Sequence, residues 1–262
     1  MWSLLLLGSA ALVVSVAGIP TDTVWIAVLL GAGAALVATF LVVDRRASAS
    51  VLPPTAFRPG PLKWIYLTLG VLMAATMVDL YVPLFGQRLA GLAPVAAGFL
   101  GVALAVGWTI SEITSASVTA TRTIRRIVAV APLVMATGLT LAALTQADDA
   151  PLGIVAVWVL ALVITGIGVG MAWPHLSAWA MGGVDDPAEG SRAASAINTV
   201  QLIFGAFGAG LAGIVVNTNA RGDAAAARWS FAIFAVLALL GVFASYRASR
   251  ERTPAQSGSS SS

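Results

Sequence analysis

The sequence predicts an all-α, polytopic transmembrane bundle of about eight spanning helices, arranged as a two-helix pair followed by a six-helix half. Three observations predict it. Of the 262 residues 59% are hydrophobic and only 10% charged, where a soluble domain carries roughly 25% charged residues. The apolar residues gather into eight runs of roughly the 20 residues needed to cross a hydrocarbon core. The basic residues, finally, fall almost entirely into alternate connections between those runs.

The first run, Trp2 to Gly18, has no basic residue before it and reads as a retained helix, not a cleaved signal, whose apolar core would follow a positive flank. Val24 to Val43 completes a membrane hairpin over residues 1–46. Residues 47–63 contain Pro53, Pro54, Pro59 and Pro61 and read as a cytoplasmic linker, because clustered prolines break helices. The six-helix half spans residues 64–246, with helices expected at Trp64 to Gln87, Pro94 to Val118, Ile127 to Thr145, Leu152 to Met181, Ala193 to Asn217 and Trp229 to Tyr246. Pro174 interrupts the backbone bonding of the fourth of these and predicts a kink there. The tail from Arg247, ending in a Ser-Gly-Ser run, reads as disordered and cytoplasmic.

Cytoplasmic loops collect Lys and Arg. With both ends inside, Arg45, Arg46, Arg58, Lys63, Arg122, Arg125, Arg126, Arg192, Arg247, Arg250 and Arg252 are inner, and only Arg88, Arg221 and Arg228 are outer. This 11-to-3 division needs an even number of spans and places the chain in the plasma membrane with both termini cytoplasmic. Trp2, Trp25, Trp64 and Trp229 stand at expected helix ends, where interfacial aromatics belong.

The composition also excludes chemistry. No cysteine is present, so disulfides, thiolate catalysis and cysteine metal sites are excluded, and a single histidine leaves little room for an all-protein zinc site. No zinc-protease helix, serine elbow or phosphate-cradling glycine loop occurs. The chain is read as a non-enzyme with no cofactor, no metal and no nucleic-acid partner. Asp185, Asp186 and Glu189 form an acidic group that reads as a solvated loop.

Acids inside a membrane helix are the sharpest signal, since each costs several kcal/mol unless neutral, paired or hydrated. Asp79 lies nine residues before Arg88, roughly 13 Å from the outer end at 1.5 Å per residue. Glu112 lies ten residues before Arg122, roughly 15 Å from the inner end. Desolvation favours the neutral form of a carboxylic acid, so both are candidate proton or substrate sites. Thr68, Thr76 and Asp79 share a helical face with Pro83. Because Pro83 has no N–H, the Asp79 carbonyl is expected to lose its helical donor and open to water or a cation. Trp108, Glu112, Ser115 and Thr119 form a second stripe. Tyr81, Trp173, His175, Asn198 and Gln201 complete the candidate cavity lining, although a hydrogen-bonded packing role suits His175 and interhelical bonding suits Asn198 and Gln201 equally. Gly166 with Gly170, and Gly205, Ala209 and Gly213, are spaced to let helices approach closely.

Three stretches resemble the carboxyl-terminal half of a major facilitator superfamily transporter, in particular the fourteen-helix drug:proton antiporter type. VDRRASASVLPPTAFRPGPLKW resembles the segment leading into that half. YVPLFGQRLAGLAPVAAGFLGVALAVGW resembles the junction of its first two helices, and GIGVGMAWPHLSAWAMGGVDDPAEGSRAASAINTVQLIFGAFGAGLAG its late helix pair. The resemblance implies that the first two helices match the extra pair of the fourteen-helix type, and that the helices carrying Asp79 and Pro174–His175 line the central cavity. It departs from the family at TATRTIRRI, which lacks the glycines and aspartate of the family's cytoplasmic loop. What it implies is a proton-coupled exporter of small, drug-like molecules, with protons, substrate and the lipid bilayer as partners. Transport by rocking two halves about a midplane site requires a second half, from another chain, from self-association or from coding sequence upstream. The alternative is a non-transporting membrane scaffold or regulatory subunit.

Overall fold

The computed structural model describes residues 2–17, 19, 22–46, 60–182, 187–218 and 221–250. Within them the chain is helical throughout, with α1 (Trp2–Val16), α2 (Thr23–Arg46), α3 (Pro61–Thr76), a 3-10 turn (Met77–Tyr81), α4 (Val82–Ala90), α5 (Pro94–Ala116), α6 (Thr121–Thr145), α7 (Leu152–Met181), α8 (Pro187–Thr218) and α9 (Asp223–Arg250). Among the described residues seven segments are long and apolar enough to cross a membrane, the second of them being α3, the turn and α4 read as one span, and α1 is a shorter apolar helix before them, which makes that composite the third span of the chain. Residues 47–59, most of the expected linker, lie outside the described residues, as do 251–262 of the expected tail. Helix begins at Pro61, inside the expected linker, and α9 runs on to Arg250. Helices in this chain therefore outlast their apolar cores, as arginine-bearing turns emerge from the bilayer without breaking.

The six-helix part is built on α7, which packs along both α5 and α6; α6 also packs on α9, and α3 lies between α8 and α9. Helix association in lipid has no hydrophobic drive and depends on close approach. The sequence provides it with glycine. A Cβ at Gly107 would run into the Val163 backbone, one at Gly166 into the Leu104 carbonyl, and one at Gly170 into the Trp108 carbonyl. Gly168 lies likewise against the Met135 backbone. The close-packing role expected of Gly166 and Gly170 is therefore met at the α5–α7 seam. On α8 the contacts differ from the expected spacing. Gly208 faces Ala74 of α3 and Met77 of the 3-10 turn, while Gly210 faces Val14 of α1.

Two prolines sit inside unbroken helices, Pro132 in α6 and Pro174 in α7. Pro132 cannot donate to the Val128 carbonyl four residues before it. The buried Ser245 hydroxyl of α9 donates to that carbonyl instead. Gly241, one turn away on α9, accommodates the proline ring, a Cβ there being 3.6 Å from Pro132 Cβ.

Candidate functional site

Asp79 stands in the 3-10 turn that divides the third span. Its cause is Pro83, which can neither donate to the Asp79 carbonyl nor tolerate it at α-helical distance. The tighter winding corrects one expectation. The Val82 N–H bonds the Asp79 carbonyl, so a three-residue bond replaces the missing four-residue one and the carbonyl keeps a backbone donor. The side chain is another matter, because Asp79 Oδ1 is buried without a hydrogen-bond partner. A desolvated, unbonded carboxyl oxygen is costly and calls for a functional explanation.

The neighbours of Asp79 do not compete for that oxygen. Thr76 and Thr68 are buried on the expected face, but their hydroxyls donate to their own helix, to Met73 O and Trp64 O respectively, each at 2.7 Å. Tyr81 is half-buried, its ring 6.5 Å from that of Phe85. Pro83 lies beside Gly101, where a Cβ would be 3.2 Å from its ring. The turn packs chiefly against α8, at the glycine-bearing stretch that accepts Met73 and Met77.

The second candidate group lies on the α5–α7 seam. Trp108 Nε1 donates to Glu112 Oε2 at 2.8 Å, one helical turn along. The Trp108 and Trp173 rings meet at 5.2 Å between centroids, tilted by 53°. Ser115 donates its hydroxyl to Met171 O at 2.7 Å and lies 2.9 Å from His175 Nε2. A serine has one proton to give. With it committed to Met171 O, His175 Nε2 must carry a hydrogen and donate to Ser115, which fixes the tautomer of the buried imidazole.

The structure thus joins Trp108 to Glu112, Trp108 to Trp173 and Ser115 to His175, and no hydrogen bond among the described residues links this group to Asp79. Thr119 falls off the stripe, since α5 stops at Ala116. On α8 Asn198 is exposed and Gln201 half-buried. The side chains of Asp185, Asp186 and Glu189 lie outside the described residues, and among the described ones no group of three or more acids or histidines could hold a metal.

Two features escaped sequence reasoning. Asp44, one residue past the expected end of the second span at Val43, is fully buried at the end of α2. At the opposite end of the bundle Arg88 pairs with Asp223 at 2.9 Å, Arg228 donates to Gln146 O at 3.0 Å, and the Ala150 N–H donates to Leu89 O at 2.8 Å. These bonds tie α4 and α9 to the connection between α6 and α7. Arg88 and Arg228 were visible as outer charges, but only the fold gives them their partners.

No family model matches the chain. The probable multidrug-efflux transporters Rv1634 and MT1670, from the H37Rv and CDC 1551 strains of Mycobacterium tuberculosis, are each 64% identical to it over 247 residues. The match covers 94% of this chain and 52% of each relative, so the chain spans about half the length of the curated relatives it matches. A crystal structure of a mutant of the nucleoside transporter NupG superposes with a TM-score of 0.55 at 18% identity, covering 90% of this chain and 63% of that one. The fold is therefore shared with part of a known transporter. Together, seven membrane-length apolar helices and these relatives mark a multi-pass membrane protein with an all-α transporter-type bundle.

Proposed function

We propose that the chain supplies the second half of a proton-coupled, small-molecule efflux transporter of the major facilitator type, in the plasma membrane with both ends cytoplasmic. The observation that carries the transport reading is the 64% identity to probable multidrug-efflux transporters along 94% of the chain. The observation that supports proton coupling is Asp79, a half-buried acid within a span whose Oδ1 is buried without a hydrogen-bond partner, at a break in its helix.

In this reading Asp79 is the principal proton or substrate site. Its unbonded oxygen can take up a proton and release it without first breaking an internal bond. Glu112 is the second site, already held by the Trp108 indole, so its charged form keeps a donor. Trp108, Trp173 and His175 form a wall beside it, with Thr76, Tyr81, Pro83, Asn198 and Gln201 around the path. The second half comes from a separate chain, a second copy or a longer gene product.

The test is efflux of drug-like fluorescent compounds driven by a pH gradient in vesicles. The chain is assayed alone and with the amino-terminal half of the Rv1634 relative, in wild-type and Asp79→Asn forms. Asparagine keeps the size of aspartate and removes the proton. Gradient-driven efflux is expected from the complete assembly and a loss of at least about 100-fold from Asp79→Asn, the scale of one essential proton-transfer group. Undiminished efflux in the variant removes Asp79 from the mechanism, and no efflux from any assembly returns the chain to the scaffold reading.

A further inference from the structure

Behind α4, at the end of the bundle that carries Arg88 and Asp223, the helices do not close completely. Phe85 of α4, Leu100 of α5, Gln146 at the end of α6, Trp158 and Leu162 of α7 and Phe231 of α9 surround a cavity of about 10 Å³. Among the described residues no charged side chain lines it. Gln146 is its polar exception, a side chain only 3% exposed whose Oε1 is buried with no hydrogen-bond partner. The amide orientation is fixed, because Nε2 donates to Ala142 O at 3.0 Å and a carbonyl could take no bond from Oε1. That bond spends Nε2 on its own helix and leaves Oε1 as the acceptor on the cavity side. The groups around it are already committed. Trp158 Nε1 donates to Thr145 O at 3.2 Å, and Arg228 donates to the Gln146 backbone carbonyl at 3.0 Å.

Of the walls of this cavity α4 is the one best placed to move. It is nine residues long, with the 3-10 turn Met77–Tyr81 before it and Gly91 in the left-handed backbone conformation, at φ 60°, after it. Its far end is tied by the exposed Arg88–Asp223 pair and by the Ala150 N–H on Leu89 O. An ion pair open to solvent is a weak tie. What seats α4 is therefore mainly apolar, through buried Phe85 and Leu89. The Phe85 ring lies 6.1 Å from that of Phe231, tilted by 52°.

We infer that this cavity is a binding site for a small neutral aromatic molecule with one hydrogen-bond donor, of the phenol type, admitted when α4 swings away and withdraws Phe85. The ligand ring takes the place that the phenylalanine ring vacates, beside Trp158 and Phe231, and its hydroxyl donates to Gln146 Oε1. Each part of the site selects for this occupant. The amide oxygen calls for a donor, because a buried acceptor without one is costly. An uncharged lining excludes an ion, whose desolvation nothing there would offset. Aromatic walls favour an aromatic body, which gains from tilted and offset contacts. Water does not suit the place: buried waters make about three hydrogen bonds, and this lining offers one free polar atom. Exchange of one ring for another conserves core volume, the change that packed interiors tolerate best. Ligand and Phe85 exclude each other, so binding draws α4 from its present position and shifts the population of the third span. The site shares no residue with the proposed proton sites, and it stands or falls apart from the transport reading.

The experiment measures binding of para-fluorophenol to the full chain in lipid nanodiscs by fluorine NMR, with empty nanodiscs as the blank for partition into lipid. Saturable binding beyond the blank is expected. Fluorobenzene, the same ring without the hydroxyl, should bind about fivefold more weakly, the worth of one net hydrogen bond. Gln146→Met keeps the length of the side chain and removes the acceptor, so it should erase that difference while still binding fluorobenzene as the wild type does, which separates a lost bond from a lost fold. Phe85→Ala vacates the ring's place in advance and should tighten binding of the phenol at least about tenfold, because the competent state no longer has to be reached. The chain has no cysteine, so Arg88→Cys with Asp223→Cys can be joined by a short bismaleimide that holds α4 in place. Joining should abolish binding that the unjoined variant retains. Equal binding of the two compounds to the wild type overturns the inference, as does a difference that survives Gln146→Met. Weaker binding to Phe85→Ala, undiminished binding to the joined form, or no saturation beyond the blank would each overturn it too.

Discussion

Pro83 and Pro132 are the same residue inside two membrane spans, and the chain treats them differently. At Pro132 α6 runs straight through, because Ser245 on a neighbouring helix supplies the missing donor. At Pro83 no neighbour intervenes and the backbone rewinds into a five-residue 3-10 turn that satisfies itself through Val82. The difference lies in what each solution fixes. External repair fastens α6 to α9 and adds no freedom. Local repair leaves the third span with a weakly bonded segment, because 3-10 hydrogen bonds have poorer geometry and such turns often mark hinges. The one membrane acid without a partner, among the described residues, sits on that segment.

The largest expected effect comes from removing the cause of the turn. Winding at three residues per turn instead of 3.6 adds roughly 20° per residue, so the five residues Met77–Tyr81 rotate everything after them by about 100° relative to an α-helix. That rotation is what aims Phe85 at Phe231 and Arg88 at Asp223. Pro83→Ala restores the N–H and favours the regular helix, which sets those contacts against the winding and re-aims Asp79. Gradient-driven efflux by the complete assembly should fall at least about tenfold, the scale of a displaced proton-transfer group, while Pro132→Ala leaves it nearly unchanged. Equal effects from the two substitutions would show that the turn has no special part in transport.

A second, smaller effect concerns the α5–α7 seam, where glycines bring backbones together and the polar groups already have partners. Gly170→Leu forces a side chain against the Trp108 carbonyl and Ser111. Overfilling a packed contact costs about 1–3 kcal/mol, to be read as a lowered midpoint of denaturant unfolding in detergent. Gly98→Leu, where a Cβ meets nothing within 4 Å, should be close to neutral. If both variants unfold at the wild-type midpoint, the seam is looser than its geometry.

Most of the bundle was legible because hydropathy over 20 residues is a strong signal in lipid; α7 matches the expected Leu152–Met181, and Gly166 and Gly170 pack as their spacing implies. The helix ends were less legible at α6, where Arg122, Arg125 and Arg126 looked like loop but continue the helix outside the apolar stretch. What the string could not hold was pairing between distant residues. Ser115 and His175 are 60 apart, Arg88 and Asp223 135 apart, and no local period connects them. Asp79 was legible from depth alone, yet the fate of its carbonyl was not, since an α-helical rule was applied to a stretch that Pro83 forces out of the α-helix.

The smallest effect sharpens the comparison most directly, since it asks whether Ser245 is there for Pro132. Ser245→Ala leaves the Val128 carbonyl buried without a donor, at a cost of about 1 kcal/mol. Pro132→Ala alone returns the backbone N–H to that carbonyl and makes the serine redundant. In the double variant, then, losing the hydroxyl should cost almost nothing, and the coupling between the two positions should approach the full cost of Ser245→Ala. A double-mutant cycle on unfolding midpoints measures this coupling apart from any general change in α6. Strict additivity would mean that the serine merely fills space beside α6. Coupling near 1 kcal/mol would mean that α9 does for Pro132 what Val82 does for Pro83, with the flexibility of the third span as the consequence of having no such neighbour.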